Sequence, residues 1–340
     1  MRISTPGAGR STTATAAVQS TPAGRLLVVL MLSAVLIGAV PINASDAPTP
    51  DRAPRIAILG AYAPEWSYLL ADIQHARTVD VNGMQVVLGD LRGKKVLAAL
   101  TGISMVNAAM STTQILERFN VTHIIMLGVS GGVDANPADV VVPAQWMQWL
   151  ETHWAHQNPD GTWNMAGEEQ KCRYGQFTSG YPPMFVCEVN VSSVNAALGE
   201  RAPMFKFQTD PQMLAIAEQV ASTVQLQQCA DDPQGGRHCI QTQPKVIVGR
   251  SGVSGPAFVD DPVLRQWIAT NPSFDGPVVL DMETAAVYQV AFNYGVPVVA
   301  IRPPSDLAGA SPTNEWLDFQ WVAAKNGTLF LYPFIEALPK

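Results

Sequence analysis

The 340-residue chain has no stripe of basic residues interleaved with aromatics, and its 21 Lys+Arg against 28 Asp+Glu leave a net charge of −7. Binding a phosphate backbone needs clustered positive charge, so no nucleic-acid partner is expected. Cysteine is scarce: there are four, none in C-x-x-C spacing, which argues against a zinc site or a thiol redox centre. The G-x-x-x-x-G-K-[ST] phosphate loop and the G-x-G-x-x-G dinucleotide fingerprint are both missing. "GVSGP" at 252–256 lacks the G-x-S-x-G order of a nucleophile elbow. Internal repeats are absent, and low-complexity sequence is confined to the N-terminus. No cofactor and no metal is called for. With 47% hydrophobic and 14% charged residues, the composition fits an ordinary globular protein that can bury a core.

The first 44 residues read as a signal peptide. Residues 1–24 are rich in Ser, Thr, Ala and Gly, and Arg25 leads into "LLVVLMLSAVLIGAV" at 26–40, with "INA" before Ser45. Positive charge, an apolar run and small residues in that order make an export signal with an extended n-region. The run is short for a membrane span, which needs about 20 apolar residues; an uncleaved anchor is the alternative. No cysteine follows it, against a lipoprotein. Residues 45–53 read as a linker. All four cysteines, Cys172, Cys187, Cys229 and Cys239, fall in one central segment with polar surroundings. In an oxidising compartment two local disulfides, Cys172–Cys187 and Cys229–Cys239, are the economical pairing, with the other two pairings left open. The expected location is therefore outside the cytoplasm, periplasmic or secreted, with no membrane attachment once the signal is removed.

Residues 54–340 alternate short β runs with amphipathic helices. "RIAILGAY" (55–62) is an apolar strand, "QVVLGDL" and "KKVLAALTG" form a hairpin around "RGK", a helix covers 104–119, and a buried strand covers 122–132. From about 145 to 240 the pattern loosens into a Trp-, Pro- and Gly-rich segment carrying the cysteines. Order returns with strands at 244–252, 276–282 and 296–303 and helices at 283–294 and 314–337. The predicted fold is a single three-layer αβα domain with a central mixed sheet and a disulfide-braced insertion at about 145–240.

Ligands of open α/β sheets bind beyond the carboxyl ends of the strands. Those ends carry Glu65, "GVSGG" (128–132), "GPAFVDD" (255–261), Met282–Glu283 and Ser305–Asp306. Each has a local structural reading. Glu283 is a first-turn acid at a helix start, Asp306 a turn or N-cap residue after "RPPS", and Glu65 a favourable acid after Pro64 at a helix start. Asp281 has no evident role beyond the strand end. The functional reading rests on their joint placement at one edge.

The ordered series "ILGAYAPEW", "LTGIS", "MLGVSGGVD…ADVVVP", "GVSGPAFVDD" and "LDMETAAVYQVAFNYGVPVVAIRPPSDLAG" resembles the purine nucleoside phosphorylase and nucleosidase superfamily, and within it the methylthioadenosine/S-adenosylhomocysteine nucleosidases. The central segment with its cysteines is similar to that of secreted plant bark and vegetative storage proteins of the same fold. The resemblance implies a purine-nucleoside ligand and, by family habit, a homo-oligomer. It implies that Asp306 is the general acid that protonates the purine N7, held by Ser305. Glu283 binds the ribose hydroxyls and Met282 packs on the sugar. Phe258 stacks on the base, the Val259 backbone meets the base edge, and Glu65 activates the attacking water. Val129 falls where a small hydroxyl residue commonly lies, a departure from the family, with Ser130 one position later.

The chemistry gives these residue types a reason. A departing purine anion needs a proton, and the oxocarbenium-like sugar needs a nucleophile on its other face. Asp306 can hold that proton only if burial or neighbouring carboxylates raise its pKa. The loop "GAYAPEW" has no basic residue to gather phosphate, which favours water over phosphate as nucleophile. The competing expectations are a phosphate-dependent nucleoside phosphorylase and a secreted nucleoside-binding or storage protein without turnover.

Overall fold

The structure is a computed structural model that describes residues 51–160, 163–164, 185–188, 195, 198, 204–313 and 315–339. The expected signal peptide lies outside the described residues, as do Cys172 and the side chain of Cys187. Among the described residues no helix is long and apolar enough to cross a membrane.

Two six-stranded mixed sheets carry the fold. In chain order the first third contains β1 (Arg55–Gly60), β2 (Gln74–Val81), β3 (Met84–Leu91), β4 (Lys94–Leu100), α1 (Met105–Arg118), β5 (Val121–Leu127), β6 (Ser130–Gly132), β7 (Val140–Val142) and β8 (Gln145–Gln148). Then come β9 (Thr152–Gln157), β10 (Trp163–Asn164), β11 (Phe185–Glu188), β12 (Phe207–Gln208), α2 (Pro211–Ala221), β13 (Cys229–Asp231) and β14 (Arg237–Cys239). The last third holds β15 (Val246–Val248), β16 (Ser251–Ser254), α3 (Pro262–Thr270), β17 (Pro277–Asp281), α4 (Thr284–Tyr294), β18 (Val298–Ile301), β19 (Pro304–Asp306) and α5 (Trp316–Ala337).

The first sheet runs β18-β5-β1-β4-β3-β2 and the second β12-β8-β16-β17-β6-β19. In the first, β18, β5, β1 and β4 are parallel, and β3 and β2 turn back as hairpins. Every residue of β1 is buried, the continuous apolar pattern of a strand covered on both faces. The hairpin turns are Asn82–Gly83 and Arg92–Gly93, all four residues at positive φ, the backbone twist that two-residue hairpin loops require.

The sheets meet where two chains bend from one into the other, β5 into β6 across Gly128–Val129 and β18 into β19 across Arg302–Pro303. At the bend Gly128 N donates to Ile301 O (3.3 Å), Ser130 N to Pro303 O (3.1 Å) and Arg302 N to Val141 O (2.8 Å). The expected single strand 122–132 is thus two strands with a kink, and "RPPSD" is a strand rather than a helix start. Part of the 145–240 segment belongs to the main body. There β8 pairs with β16 and β12, and α2 buries Met213, Ile216, Ala217 and Val220, helical spacing against the core. The β13–β14 hairpin pairs Cys229 with Cys239 across its strands and a disulfide joins them. The Cys172–Cys187 pairing falls outside the described side chains.

Candidate active site

The candidate catalytic and binding residues come to one cleft, open to solvent, at the junction of the two sheets. Glu65, Val129, Ser130, Phe258, Val259, Met282, Glu283, Ser305 and Asp306 all line it.

Glu65 sits on a 3-10 turn, Ala63–Trp66, just past β1. Its Oε2 accepts from Ala61 N and Tyr62 N, and its Oε1 accepts from Val129 N (2.8 Å) beyond the end of β5. The side chain thus serves the start of this turn, where its bond from the N-cap Tyr62 N belongs to a capping box, and is also tied to the end of β5 through Val129 N. Burial pushes its carboxyl up to about 7; Arg302 opposes the shift and Glu283 adds to it.

Glu283 is the N-cap of α4, yet its side chain makes no capping bond. Instead Oε1 accepts from Ser104 N (2.9 Å) at the start of α1, and Oε2 from Arg302 Nη2 (2.9 Å). The cap is supplied by Asp281, whose Oδ1 accepts from Glu283 N (3.1 Å) and Thr284 N (3.2 Å) while Oδ2 accepts from the Thr284 hydroxyl. Ser254 Oγ donates to Asp281 Oδ1 (2.5 Å). Asp281, unexplained in the sequence, satisfies the helix start and frees Glu283 to face the cleft.

Arg302 is a residue of the site that the sequence did not single out. Fully buried, it places Nη2 2.7 Å from Asp281 Oδ2, and Nη1 3.8 Å from Glu65 Oε1. Burial works against its charge, but Asp281, Glu65 and Glu283 outweigh burial and hold it protonated. Burial also raises Glu283, with Arg302 pulling the other way and Asp281 adding to the rise. The signal lay in "VVAIRPPSD": an arginine ending an apolar strand can be buried only if carboxylates meet it.

Asp306 lies in β19, 5% exposed. Its Oδ2 accepts from Ser305 Oγ (2.9 Å) and its Oδ1 from Ala308 N (2.8 Å). Burial raises its pKa against those bonds, with Asp260 and Glu315 adding to the rise. A carboxyl so placed retains its proton to higher pH than a free aspartate, as a proton donor must.

The cleft mouth is aromatic. Phe258 is 52% exposed and meets Trp316 edge-on at 5.8 Å. Trp316 Nε1 donates to Tyr62 Oη (3.0 Å), which donates to Gln320 Oε1 (3.0 Å). Tyr62, Ile103 and Trp316 also line the cleft and were not singled out. Ile103 stood unremarked inside "LTGIS", and Trp316 reads as an ordinary first-turn residue of a helix. Among the described residues the lining holds no lysine or arginine, and none form a cluster of His, Cys, Asp and Glu suited to a metal.

Residues 55–336 match the sequence model of the phosphorylase superfamily. The chain is 29% identical over 287 residues to a 5'-methylthioadenosine/S-adenosylhomocysteine nucleosidase of Bacillus thuringiensis, covering 84% of this chain and 99% of the relative. Its fold is similar to that of the nucleosidase of that name from Neisseria meningitidis in complex with methylthio-immucillin-A (TM-score 0.58, 21% identity, 84% of this chain and 99% of the other). It is also similar to the futalosine hydrolase of Helicobacter pylori (TM-score 0.59, 19% identity, 84% and 98%).

Proposed function

The chain belongs to the phosphorylase superfamily, and from that premise we propose that it hydrolyses the N-glycosidic bond of a purine nucleoside of the methylthioadenosine/S-adenosylhomocysteine type. The observation that carries the reading is the meeting, in one cleft, of a buried protonatable carboxyl (Asp306) and a second, separately held carboxylate (Glu65). The base lies between the exposed Phe258 ring and the Val259 backbone, and Asp306 delivers its proton to the ring nitrogen of the leaving purine. Glu283 accepts the ribose hydroxyls, with Met282 against the sugar; a charged acceptor makes those bonds stronger than neutral ones. Glu65, whose two oxygens are oriented by three backbone N–H groups, takes a proton from the attacking water. General acid and base help of this kind are each worth about 10² to 10⁴ in rate.

Water is favoured over phosphate on electrostatic grounds. Among the described residues Arg302 is the cation paired with the cleft carboxylates, and three of them, Glu65, Asp281 and Glu283, surround it. The cluster keeps an excess of negative charge, which a phosphate anion would meet with repulsion. We further propose export, which suits the Cys229–Cys239 disulfide. A homo-oligomer built on α1 suits its solvent-facing Val106 (78% exposed), Met110 (53%) and the adjoining Ile103 (50%).

The test is base release from methylthioadenosine, S-adenosylhomocysteine, adenosine, inosine and futalosine, each with and without phosphate. Phosphate-independent release of purine from a 5'-thio nucleoside is the expected result. Release that requires phosphate makes the chain a phosphorylase. Tight binding without release makes it a binding protein and overturns the reading.

A further inference from the structure

The prolines before Ser305 and a polar residue in the middle of the most apolar helix have a common explanation. Asn326 is fully buried in α5, a position where a polar side chain is costly unless every group is bonded. Both donors and the carbonyl oxygen are bonded to backbone groups. Nδ2 donates to Ala138 O (2.9 Å) and to Gln227 O (2.9 Å), and Oδ1 accepts from Gln227 N (2.8 Å). Burial also closes the "NGT" sequon at 326–328 to glycosylation. Ala138 in turn stands at φ +64°, a left-handed conformation that a residue with a side chain adopts only when its surroundings hold it there. Its N–H donates to Pro304 O (2.8 Å).

The next residue of α5 touches the same segment. A Cβ built on Gly327 would stand 3.2 Å from Pro303 Cγ and 3.2 Å from Leu127 Cδ1, so glycine there lets α5 lie directly against the strand ends. Pro303 and Pro304 accept through their carbonyls, from Ser130 N and Ala138 N. The N–H groups that proline lacks are not used in either contact. Two residues on, in the same short strand, is Asp306, whose carboxyl direction is set by Ser305 Oγ and Ala308 N.

We infer that Asn326 and Gly327 form the seat of the acid strand: Asn326 holds Pro304 through Ala138, Gly327 admits Pro303, and together they position Asp306 against the leaving group. Asn326 and Gly327 are positioning residues, acting through the strand and touching no substrate. This inference rests on the assignment of Asp306 as the proton donor. Misplacing a reacting group by about 1 Å costs on the order of 10²-fold, so loosening the seat is expected to lower purine turnover by about ten- to a hundredfold.

A merely structural role would lower all turnover equally, so the experiment compares two leaving groups. Wild type, Asn326→Ala, Gly327→Ala and Asp306→Asn are assayed with methylthioadenosine and with 4-nitrophenyl 5-methylthioriboside. The nitrophenolate of the second substrate departs without a proton. Gly327→Ala removes no hydrogen bond and stands in if Asn326→Ala does not fold. The expected result for both seat variants is a fall in kcat for methylthioadenosine with KM little changed, while 4-nitrophenyl turnover stays near wild type. An equal fall with both substrates, or no fall with either, overturns the inference. Wild-type purine turnover in Asp306→Asn would instead overturn the assignment of the acid, a separate outcome from anything the seat variants do.

Discussion

Arg302 Nη2 lies 2.9 Å from Glu283 Oε2 inside the protein, both side chains being 5% exposed or less. The pair joins the strand that carries Asp306 to the residue expected to hold the ribose, and Asp281 and Glu65 share the same guanidinium. Removing one member of a buried ion cluster leaves the others without compensation, at a cost of about 3–5 kcal/mol. Arg302→Met, which keeps length and loses charge, is expected to lower the thermal midpoint by several degrees. Base release should fall below detection, because Glu283 and Glu65 then take up protons. Thermal unfolding followed by circular dichroism and the nucleoside assay check both. Wild-type stability in this variant would mean that the three carboxylates do not depend on Arg302.

The pH dependence follows from Glu65. Its carboxyl titrates near 7 in the fold, against about 4.5 when free, because burial disfavours the charge. As a general base it works only when ionised, so kcat/KM should rise through about pH 7 from the acid side. Asp306, whose proton burial holds to higher pH than a free aspartate's, must keep that proton for activity at the same time. The linkage to stability has the opposite slope. A carboxyl with a raised folded pKa binds more protons folded than unfolded, so its contribution is fully present below pH 4.5 and is lost as pH rises through about 7. Glu65→Gln removes the acid limb near 7 together with most turnover and flattens that part of the stability profile. An unchanged acid limb in the variant would assign it to another group.

How much of this was legible in the sequence depends on what each residue's signal rests on. β1, β5, β17 and β18 were readable because a parallel strand buried on both faces leaves an unbroken apolar run. β2 was not, because seven of its eight residues are not buried and its sequence "QHARTVDV" is that of an exposed edge. Glu65, Glu283 and Asp306 could be named, since acids at strand ends are conspicuous. Their partners could not. Whether Glu283 caps α4 or faces the cleft depends on Asp281 taking the cap, and whether Glu65 is only a helix-start acid depends on Val129 N arriving from another strand. The loop after β1, "GAYAPEW", carries no cation that would announce the cluster. The charge instead enters from the far side of the sheet, two strands away.

That same crossing of chains puts a requirement on Gly128, where β5 leaves the first sheet. Its φ is not in the left-handed region, so the need for glycine is one of space rather than of backbone conformation. A Cβ at this position would overlap Glu65 Oε1 and Arg302 Nη1, and neither can retreat. Glu65 Oε1 is held by Val129 N, and the Arg302 side chain is committed to Asp281 and Glu283. Gly128→Ala is therefore expected to displace the Glu65 carboxylate while leaving Asp306, on the neighbouring strand, in place. Overpacking a closed site of this kind costs about 1–3 kcal/mol, so the variant should fold. Its purine turnover should fall by about 10² or more, with KM for the nucleoside changed little, since Phe258, Val259 and Met282 are untouched. Steady-state kinetics beside a thermal melt check this. A folded Gly128→Ala protein with wild-type kcat would show that Glu65 need not occupy the position it holds here.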